Sequence, residues 1–127
     1  MNIFILEDNE FRIRWFKNTF SDCTLFITKD FDTACDYLRN NHFDLIFLDR
    51  DLDEPQLVKD TDKTGEDVAK IMEEEELSIN ATVVIHTLNY HGRRAIYDRL
   101  KDTYKNLYII PFLNLMKSKR EDFELKS

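Results

Sequence analysis

Two short apolar runs in this chain each lead into acidic residues. The first, Asn2–Leu6, is followed by Glu7 and Asp8, and the second, Leu45–Asp49, ends on a carboxylate itself. Apolar runs of this length, without alternating polar positions, are typical of strands buried on both faces of a parallel sheet. The carboxyl ends of such strands meet at one edge, where ligands bind in open α/β sheets. We therefore expect Glu7, Asp8 and Asp49 to lie close together.

The rest of the chain alternates between strand-like runs and longer segments with helical spacing of apolar residues. The predicted strands are Asn2–Leu6, Cys23–Thr28, Leu45–Asp49, Ala81–His86 and Leu107–Ile110. Asn9 and Asp30 stand where helix caps are expected, and Pro111 suits the start of a last helix. The apolar face of that helix would carry Phe112, Leu115, Met116 and Phe123. The alternation predicts an α/β fold, a single doubly wound five-stranded parallel sheet flanked by helices, as one domain over residues 1–127.

Composition narrows the range of functions. The chain of 127 residues has a formal net charge of −7, which argues against a broad nucleic-acid-binding surface. Four basic residues lie close together in sequence, and we interpret them as a solvated helix face: Arg93, Arg94, Arg99 and Lys101. No apolar run approaches the roughly 20 residues that a membrane-spanning helix needs, and no basic leader precedes the first strand. We expect a cytoplasmic protein without membrane contact, and its oligomeric state stays open.

The chemistry of the acidic residues favours a divalent metal. Three carboxylates at one sheet edge repel one another unless a cation lies between them, and oxygen ligands suit Mg²⁺ or Mn²⁺ better than zinc. A metal held by Glu7, Asp8 and Asp49 would bridge to a phosphoryl oxygen and neutralise its charge. The alternative is that these acids cap the helices that follow the strands. The acidic segment 50–63 is either a loop that closes over the site and adds ligands or a solvated insertion.

The ordered set of acidic and hydroxyl residues resembles the receiver domain of two-component response regulators. The matching residues are the pair Glu7 and Asp8, Asp49 at the end of the third strand, and Thr87 after the fourth strand. The resemblance implies a receiver (flavodoxin-like) fold in which Asp49 accepts a phosphoryl group, the acidic pair binds Mg²⁺, and Asp51 offers its backbone carbonyl to the metal. One departure stands out. Receivers carry a phosphoryl-binding lysine before the proline after the fifth strand, where this chain has Ile110.

Two further motifs resemble a divergent branch, the cyclic-phosphate-processing receiver family. They are Asp49-Arg50-Asp51-Leu52 after the third strand and the segment from His86 to Gly92 after the fourth. Arg50 stands where we would expect His. The resemblance implies a link to cyclic phosphate ends, with Asp49, His86, Thr87 and Asn89 as candidate catalytic residues. The pKa of a histidine suits proton transfer to or from a leaving oxygen, and Asn89 would orient a phosphate oxygen.

Three functions are compatible with these residues. The first is a metal-dependent phosphoesterase, or a protein that binds phosphate ends, whose partner is a phosphorylated small molecule or a nucleic-acid end. The second is a signalling module with Asp49 as phosphoacceptor and a partner protein as its output. The third is a catalytically silent receiver fold that mediates protein interaction. The isoleucine at position 110 counts against the second, and the retained Glu7, Asp8 and Asp49 count against the third.

Overall fold

The computed structural model of the chain describes residues 1–49 and 64–123. Its strands are β1 (Asn2–Leu6), β2 (Thr24–Thr28), β3 (Leu45–Leu48), β4 (Thr82–Ile85) and β5 (Leu107–Ile109). Its helices are α1 (Glu10–Thr19), α2 (Phe31–Asn40), α3 (Gly65–Glu74), α4 (Tyr90–Leu100) and the short α5 (Phe112–Leu115). All strand pairs are parallel, in the order β2-β1-β3-β4-β5, so the predicted doubly wound α/β fold is confirmed. The predicted segment 50–63, with Asp51, lies outside the described residues.

Two apolar clusters cover the two faces of the sheet, as expected for strands without polar alternation. On one face, helices α2, α3 and α4 pack on side chains such as Phe4, Ile46 and Val83. The opposite face is rich in aromatic side chains and includes Ile5, Phe47 and Val84 from the central strands. Phe16, Phe20, Phe112 and Phe123 complete this second cluster. We call this second side of the sheet the aromatic face. The candidate functional side chains project from the same side.

Side-chain caps fix where the helices begin. Asn9 caps α1 by accepting a hydrogen bond from the Arg12 N–H, and Asp30 caps α2 by accepting from Thr33. Both caps were predicted from the sequence. Thr64 and Asp67 form a reciprocal capping box at the start of α3. Such caps satisfy backbone N–H groups that have no partner in the first helical turn.

The last helix differs from its prediction. It is only four residues long, and a separate 3₁₀ turn follows over Arg120–Phe123. The Asp122 side chain accepts a hydrogen bond from the Lys119 N–H, which starts a new turn instead of continuing α5. Phe123 nevertheless packs in the aromatic face, with its ring 5.6 Å from that of Phe20. The apolar pattern therefore identified the buried side chains but not the break in the helix.

The basic residues near α4 form ion pairs with acids on the protein surface. Asp98 contacts both Arg94 and Lys101, and Arg99 contacts Glu73. These pairs are solvent-exposed, as we predicted for a solvated helix face. Within residues 1–49 and 64–123, no helix is long and apolar enough to cross a membrane.

Candidate functional site

Three polar residues form one row across the sheet, directly beyond the ends of β1, β3 and β4. Leu6, Leu48 and Ile85 are paired in register, and Glu7, Asp49 and His86 come next on their strands. The backbone continues this register, because Asp49 N–H donates to Leu6 O at 3.2 Å and His86 N–H donates to Leu48 O at 3.0 Å. Strand alternation then directs all three side chains to the aromatic face.

The row brings three potential metal-ligating atoms together. One ligand atom from each of Glu7, Asp49 and His86 lies within 4.8 Å of the others, and all three residues are buried. Although β3 lies between β1 and β4, Glu7 Oε1 and His86 Nε2 are only 2.8 Å apart, so these two side chains are directed towards each other across the end of β3. The predicted convergence of Glu7 and Asp49 is therefore present in the structure.

Both carboxylate oxygens of Glu7 accept hydrogen bonds or contact a donor. Its Oε2 accepts hydrogen bonds from the backbone N–H groups of Asp8 and Asn9, at 3.0 and 3.1 Å. Its Oε1 lies 2.8 Å from Nε2 of His86. Burial raises the pKa of Glu7, but the hydrogen bond and charge of His86, the Asn9 N–H and the charge of Arg12 bring it below its usual value. Glu7 is therefore held as a carboxylate.

Asp49 lies in a less favourable environment for its charge. Burial raises its pKa from 3.8 to about 6, and the neighbouring charge of Glu7 acts in the same direction. His86, a hydrogen bond with the Thr87 side chain and the charge of Arg12 oppose this shift. The pKa of Glu7 is thus lowered and that of the adjacent Asp49 is raised. Opposed shifts of two neighbouring titratable groups are typical of functional sites.

His86 is fully buried, so its contact with the site passes through Glu7. Its ring packs against Phe16, Phe47 and Phe112, with centroids 5.4, 6.3 and 6.2 Å away. Within the part of the chain that the structure describes, Nδ1 has no hydrogen-bond partner. Nε2 is therefore the ring nitrogen through which His86 acts on the site. This placement differs from the predicted direct contact with a leaving oxygen.

Thr87 and Asn89 organise the turn that leads from β4 into α4. The Thr87 hydroxyl accepts a hydrogen bond from the Asn89 N–H at 3.2 Å, and it is buried beside Asp49. The Asn89 side chain caps α4 by accepting from the Gly92 N–H at 2.8 Å. Thr87 therefore contacts Asp49, whereas the Asn89 side chain caps α4.

The donor set fits a hard divalent cation. Two buried carboxylates supply oxygen ligands, with an imidazole nitrogen beside them, which suits Mn²⁺ and, through the oxygens, Mg²⁺. Asp8 follows Glu7 at the same edge and is half-buried. Its role as a ligand stays a prediction, as does that of Asp51, which lies outside the described residues.

Arg12 belongs to the site but was not predicted from the sequence. Its Nη1 lies 3.2 Å from Oδ2 of Asp49 and 3.6 Å from Oε1 of Glu7. Its guanidinium carbon lies 5.1 Å from the centre of the Phe112 ring. A basic residue three positions after the Asn9 cap was the available signal, because the first turn of α1 must lie close to the end of β1. The direction of a long side chain, however, depends on packing partners that are distant in sequence.

Comparison with known families identifies the family of the chain. Residues 1–102 match the family described as the cyclic-phosphate processing receiver domain. The chain belongs to this family. The match includes the whole carboxylate row, Arg12 and the turn from Thr87 to Asn89. No curated protein is matched by the sequence.

Solved receiver structures resemble this family member in fold. A CheY-like receiver domain from Methylobacillus flagellatus has a TM-score of 0.64 at 14% identity, with 98% of each chain covered. The response regulator TrrA from Thermotoga maritima, in complex with Mg²⁺ and BeF, has a TM-score of 0.63 at 15% identity, covering 97% of this chain and 98% of its own. CheY4 from Vibrio cholerae has a TM-score of 0.63 at 15% identity, covering 91% and 92%. At these identities, the likeness establishes the receiver fold.

Proposed function

We propose that this receiver-family domain binds a phosphate group at a divalent-metal site formed by Glu7 and Asp49, and that it opens cyclic phosphate ends. The observation that carries the proposal is the row of Glu7, Asp49 and His86, whose ligand atoms lie within 4.8 Å of one another at the ligand-binding edge of the sheet. Membership of the cyclic-phosphate processing receiver family supports the choice of ligand.

The residues of the row have different parts in this proposal. When bound, Mg²⁺ or Mn²⁺ would neutralise phosphoryl charge and lower the pKa of a coordinated water. Glu7 and Asp49 hold the cation, with Asp8 as a further candidate ligand. Thr87 orients the Asp49 carboxylate through its hydroxyl, and Asn89 keeps the turn at the start of α4 in place.

We assign His86 a positioning role in the same proposal. Its Nε2 holds one oxygen of Glu7, while the backbone of Asp8 and Asn9 holds the other. Hydrogen bonds of this kind fix the orientation of a metal-binding carboxylate and raise metal affinity by about 10- to 100-fold. His86→Ala should therefore weaken metal binding as well as turnover, whereas a direct acid/base residue would affect turnover alone.

We infer a nucleotide or nucleic-acid end as the phosphate-bearing partner. Tyr90, at the start of α4 and close in sequence to Thr87, is 63% exposed. The Arg93 guanidinium carbon lies 5.3 Å from the centre of the Tyr90 ring. An exposed aromatic ring paired with a cation is a surface on which a base stacks. A 2′,3′-cyclic nucleotide should therefore be preferred to a cyclic phosphate without a base, such as glycerol 1,2-cyclic phosphate.

The decisive experiment measures phosphorus NMR spectra of 2′,3′-cyclic nucleotides with the protein and Mn²⁺ or Mg²⁺. Metal affinity is measured in parallel by titration calorimetry. The wild type should bind the metal and convert the cyclic phosphate to a monoester. Asp49→Asn keeps the volume of the side chain but removes its charge, so it should lose both properties.

Asp36→Asn is the matched control, because Asp36 is an exposed carboxylate on α2. It should behave as the wild type in both measurements. Equal metal affinity in Asp49→Asn and Asp36→Asn would contradict the metal site. Metal binding without turnover of any cyclic nucleotide would contradict the esterase part and leave a phosphate-binding module.

A second candidate function is a phospho-accepting signalling module. It is favoured by the Thr87 hydroxyl, which hydrogen-bonds to Asp49 and stands at a position that matches the receiver pattern. Incubation with acetyl phosphate should then label Asp49, and the label should be acid-stable and base-labile. Asp49 is only 3% exposed and contacts Arg12, so we expect little or no labelling. A protein that neither binds metal nor is labelled would be the silent interaction domain.

A further inference from the structure

We infer that Arg12 is the phosphate-binding cation of this site and takes the part that a lysine after the fifth strand has in other receivers. This inference rests on the proposed function, because it concerns how the same site binds a phosphate group. The row of Glu7, Asp49 and His86 supplies negative charge and metal ligands. A bound phosphate also needs a hydrogen-bond donor for the oxygens that do not touch the metal.

The sequence position of the receiver lysine cannot supply that donor. Ile110 occupies it, and its backbone N–H donates to Ile85 O at 3.0 Å. Phe112, two residues further on, projects its ring towards the site. The guanidinium of Arg12 lies over that ring, with its carbon 5.1 Å from the centroid. The guanidinium of Arg12, a residue of α1, therefore lies on the side of the site where α5 follows β5.

The geometry of Arg12 suits phosphate binding. Both contacts to the row, with Asp49 and with Glu7, are made by the same nitrogen, Nη1. A guanidinium has five N–H donors in a planar fork, so one nitrogen can contact the carboxylates while the others serve a further acceptor. Such a fork binds two oxygens of a phosphate at once.

The side chain is both anchored and accessible. The Arg12 backbone is fixed by the cap of α1, because its N–H donates to Oδ1 of Asn9 at 3.1 Å. Its side chain is 20% exposed, whereas those of Glu7 and Asp49 are 0% and 4% exposed. Arg12 therefore lies between the buried carboxylates and the solvent, at the place from which a ligand must approach.

The test measures the binding of inorganic phosphate in the presence of Mg²⁺, because phosphate binds without a bond to the Asp49 carboxylate. The fluorescence of Trp15, the single tryptophan, provides a readout without turnover. Its ring lies 5.5 Å from that of Phe112, on which the guanidinium rests. Arg12→Gln should lower phosphate affinity by about tenfold or more, since a charge-assisted hydrogen-bond pair is lost. Mg²⁺ affinity should stay equal or rise, because a competing cation is removed from Asp49.

Arg14→Gln is the matched control, because Arg14 lies on the exposed side of the same helix and the charge change is identical. It should leave phosphate affinity unchanged. Arg12→Lys keeps the charge without the fork and should show an intermediate loss. It also guards against misfolding of the glutamine variant, which circular dichroism would detect.

The remaining outcomes separate this inference from the proposed function. Equal phosphate affinity in Arg12→Gln and Arg14→Gln would overturn the role of Arg12 and leave the metal site intact. Parallel loss of Mg²⁺ and phosphate binding in folded Arg12→Gln would also overturn it, because Arg12 would then only support the carboxylates. A wild type that binds Mg²⁺ but not phosphate would overturn it too. A wild type that binds neither would overturn both proposals.

Discussion

At the scale of single residues, the surroundings of Asp49 make ionisation of its carboxyl group unfavourable. Asp49 is 3% exposed, and its neighbour Glu7 is held in the ionised form. Three groups moderate the cost of ionising Asp49, namely His86, Thr87 and Arg12, but burial outweighs them. A residue kept in such surroundings opposes folding at neutral pH when no cation is bound, which is typical of sites optimised for a ligand and not for stability.

The first prediction concerns the pH dependence of stability in the absence of metal. The folded-state pKa of Asp49 is raised from 3.8 to about 6. Its contribution to stability is therefore fully present below pH 3.8 and is lost as the pH rises through about 6. Asp49→Asn should stabilise the protein at pH 8 by roughly 1–3 kcal/mol, since each pKa unit corresponds to about 1.4 kcal/mol and the Arg12 contact is lost as well.

Urea unfolding at pH 8 and at pH 4.5, with EDTA present, tests this prediction. The gain in Asp49→Asn should shrink strongly at the lower pH, while Asp36→Asn should differ little from the wild type at both. A gain that is independent of pH would show that the change acts through packing and not through charge.

At the scale of secondary-structure elements, the turn between β4 and α4 combines structural and functional residues. Asn89 was predicted to orient a phosphate oxygen, but its side chain also caps α4 through the Gly92 N–H. Loss of such a cap costs about 1 kcal/mol. Any loss of binding in an alanine variant therefore has two explanations, which a pair of variants can separate.

The second prediction uses Asn89→Ala and Asn89→Asp. Both asparagine and aspartate cap helices well, so Asn89→Asp should keep the wild-type free energy of unfolding to within a few tenths of a kcal/mol. Asn89→Ala should lose about 1 kcal/mol. If Asn89 contacts the phosphate, the added negative charge in Asn89→Asp should weaken the binding of inorganic phosphate. Wild-type binding in the aspartate variant would restrict Asn89 to capping.

At the scale of the whole molecule, the apolar pattern of the strands predicted more of the fold and of the site than the pattern of the helices did. Burial on both faces and a carboxylate at the strand end predicted the sheet and the meeting of Glu7 with Asp49, since register follows from backbone pairing. Helix-borne contacts such as that of Arg12 depend on side-chain packing between distant segments. The depth of His86 depends likewise on the rings of Phe16 and Phe47, which strand periodicity does not reveal.

The third prediction concerns the effect of metal binding on the stability of the whole domain. A metal that binds only the folded state stabilises it by about 2.7 kcal/mol at a concentration of 100 times Kd. For a domain of this size, that corresponds to an increase in Tm of roughly 10 °C. Mn²⁺ should produce this increase in the wild type, and EDTA should reverse it.

Asp49→Asn should invert the order of stability. In EDTA at pH 8 it should melt above the wild type. In Mn²⁺ at 1,000 times Kd it should melt below it, because the wild type then gains about 4.1 kcal/mol from the metal, which exceeds the gain of the variant. Asp36→Asn should follow the wild type in both conditions. An equal response to Mn²⁺ in all three proteins would place the metal elsewhere on the molecule.

The row of Glu7, Asp49 and His86 also determines which genetic changes such a chain can tolerate. Its geometry is set by the pairing of three strands, so each side chain can be exchanged individually while the others keep their places. Deletion of one residue within β3 is a different event. It would swap that strand's side chains between the two faces of the sheet, removing Asp49 from the row and Phe47 from the aromatic face together. The chemistry of the site can therefore diverge by substitution, whereas the lengths of its strands cannot change without loss of the fold.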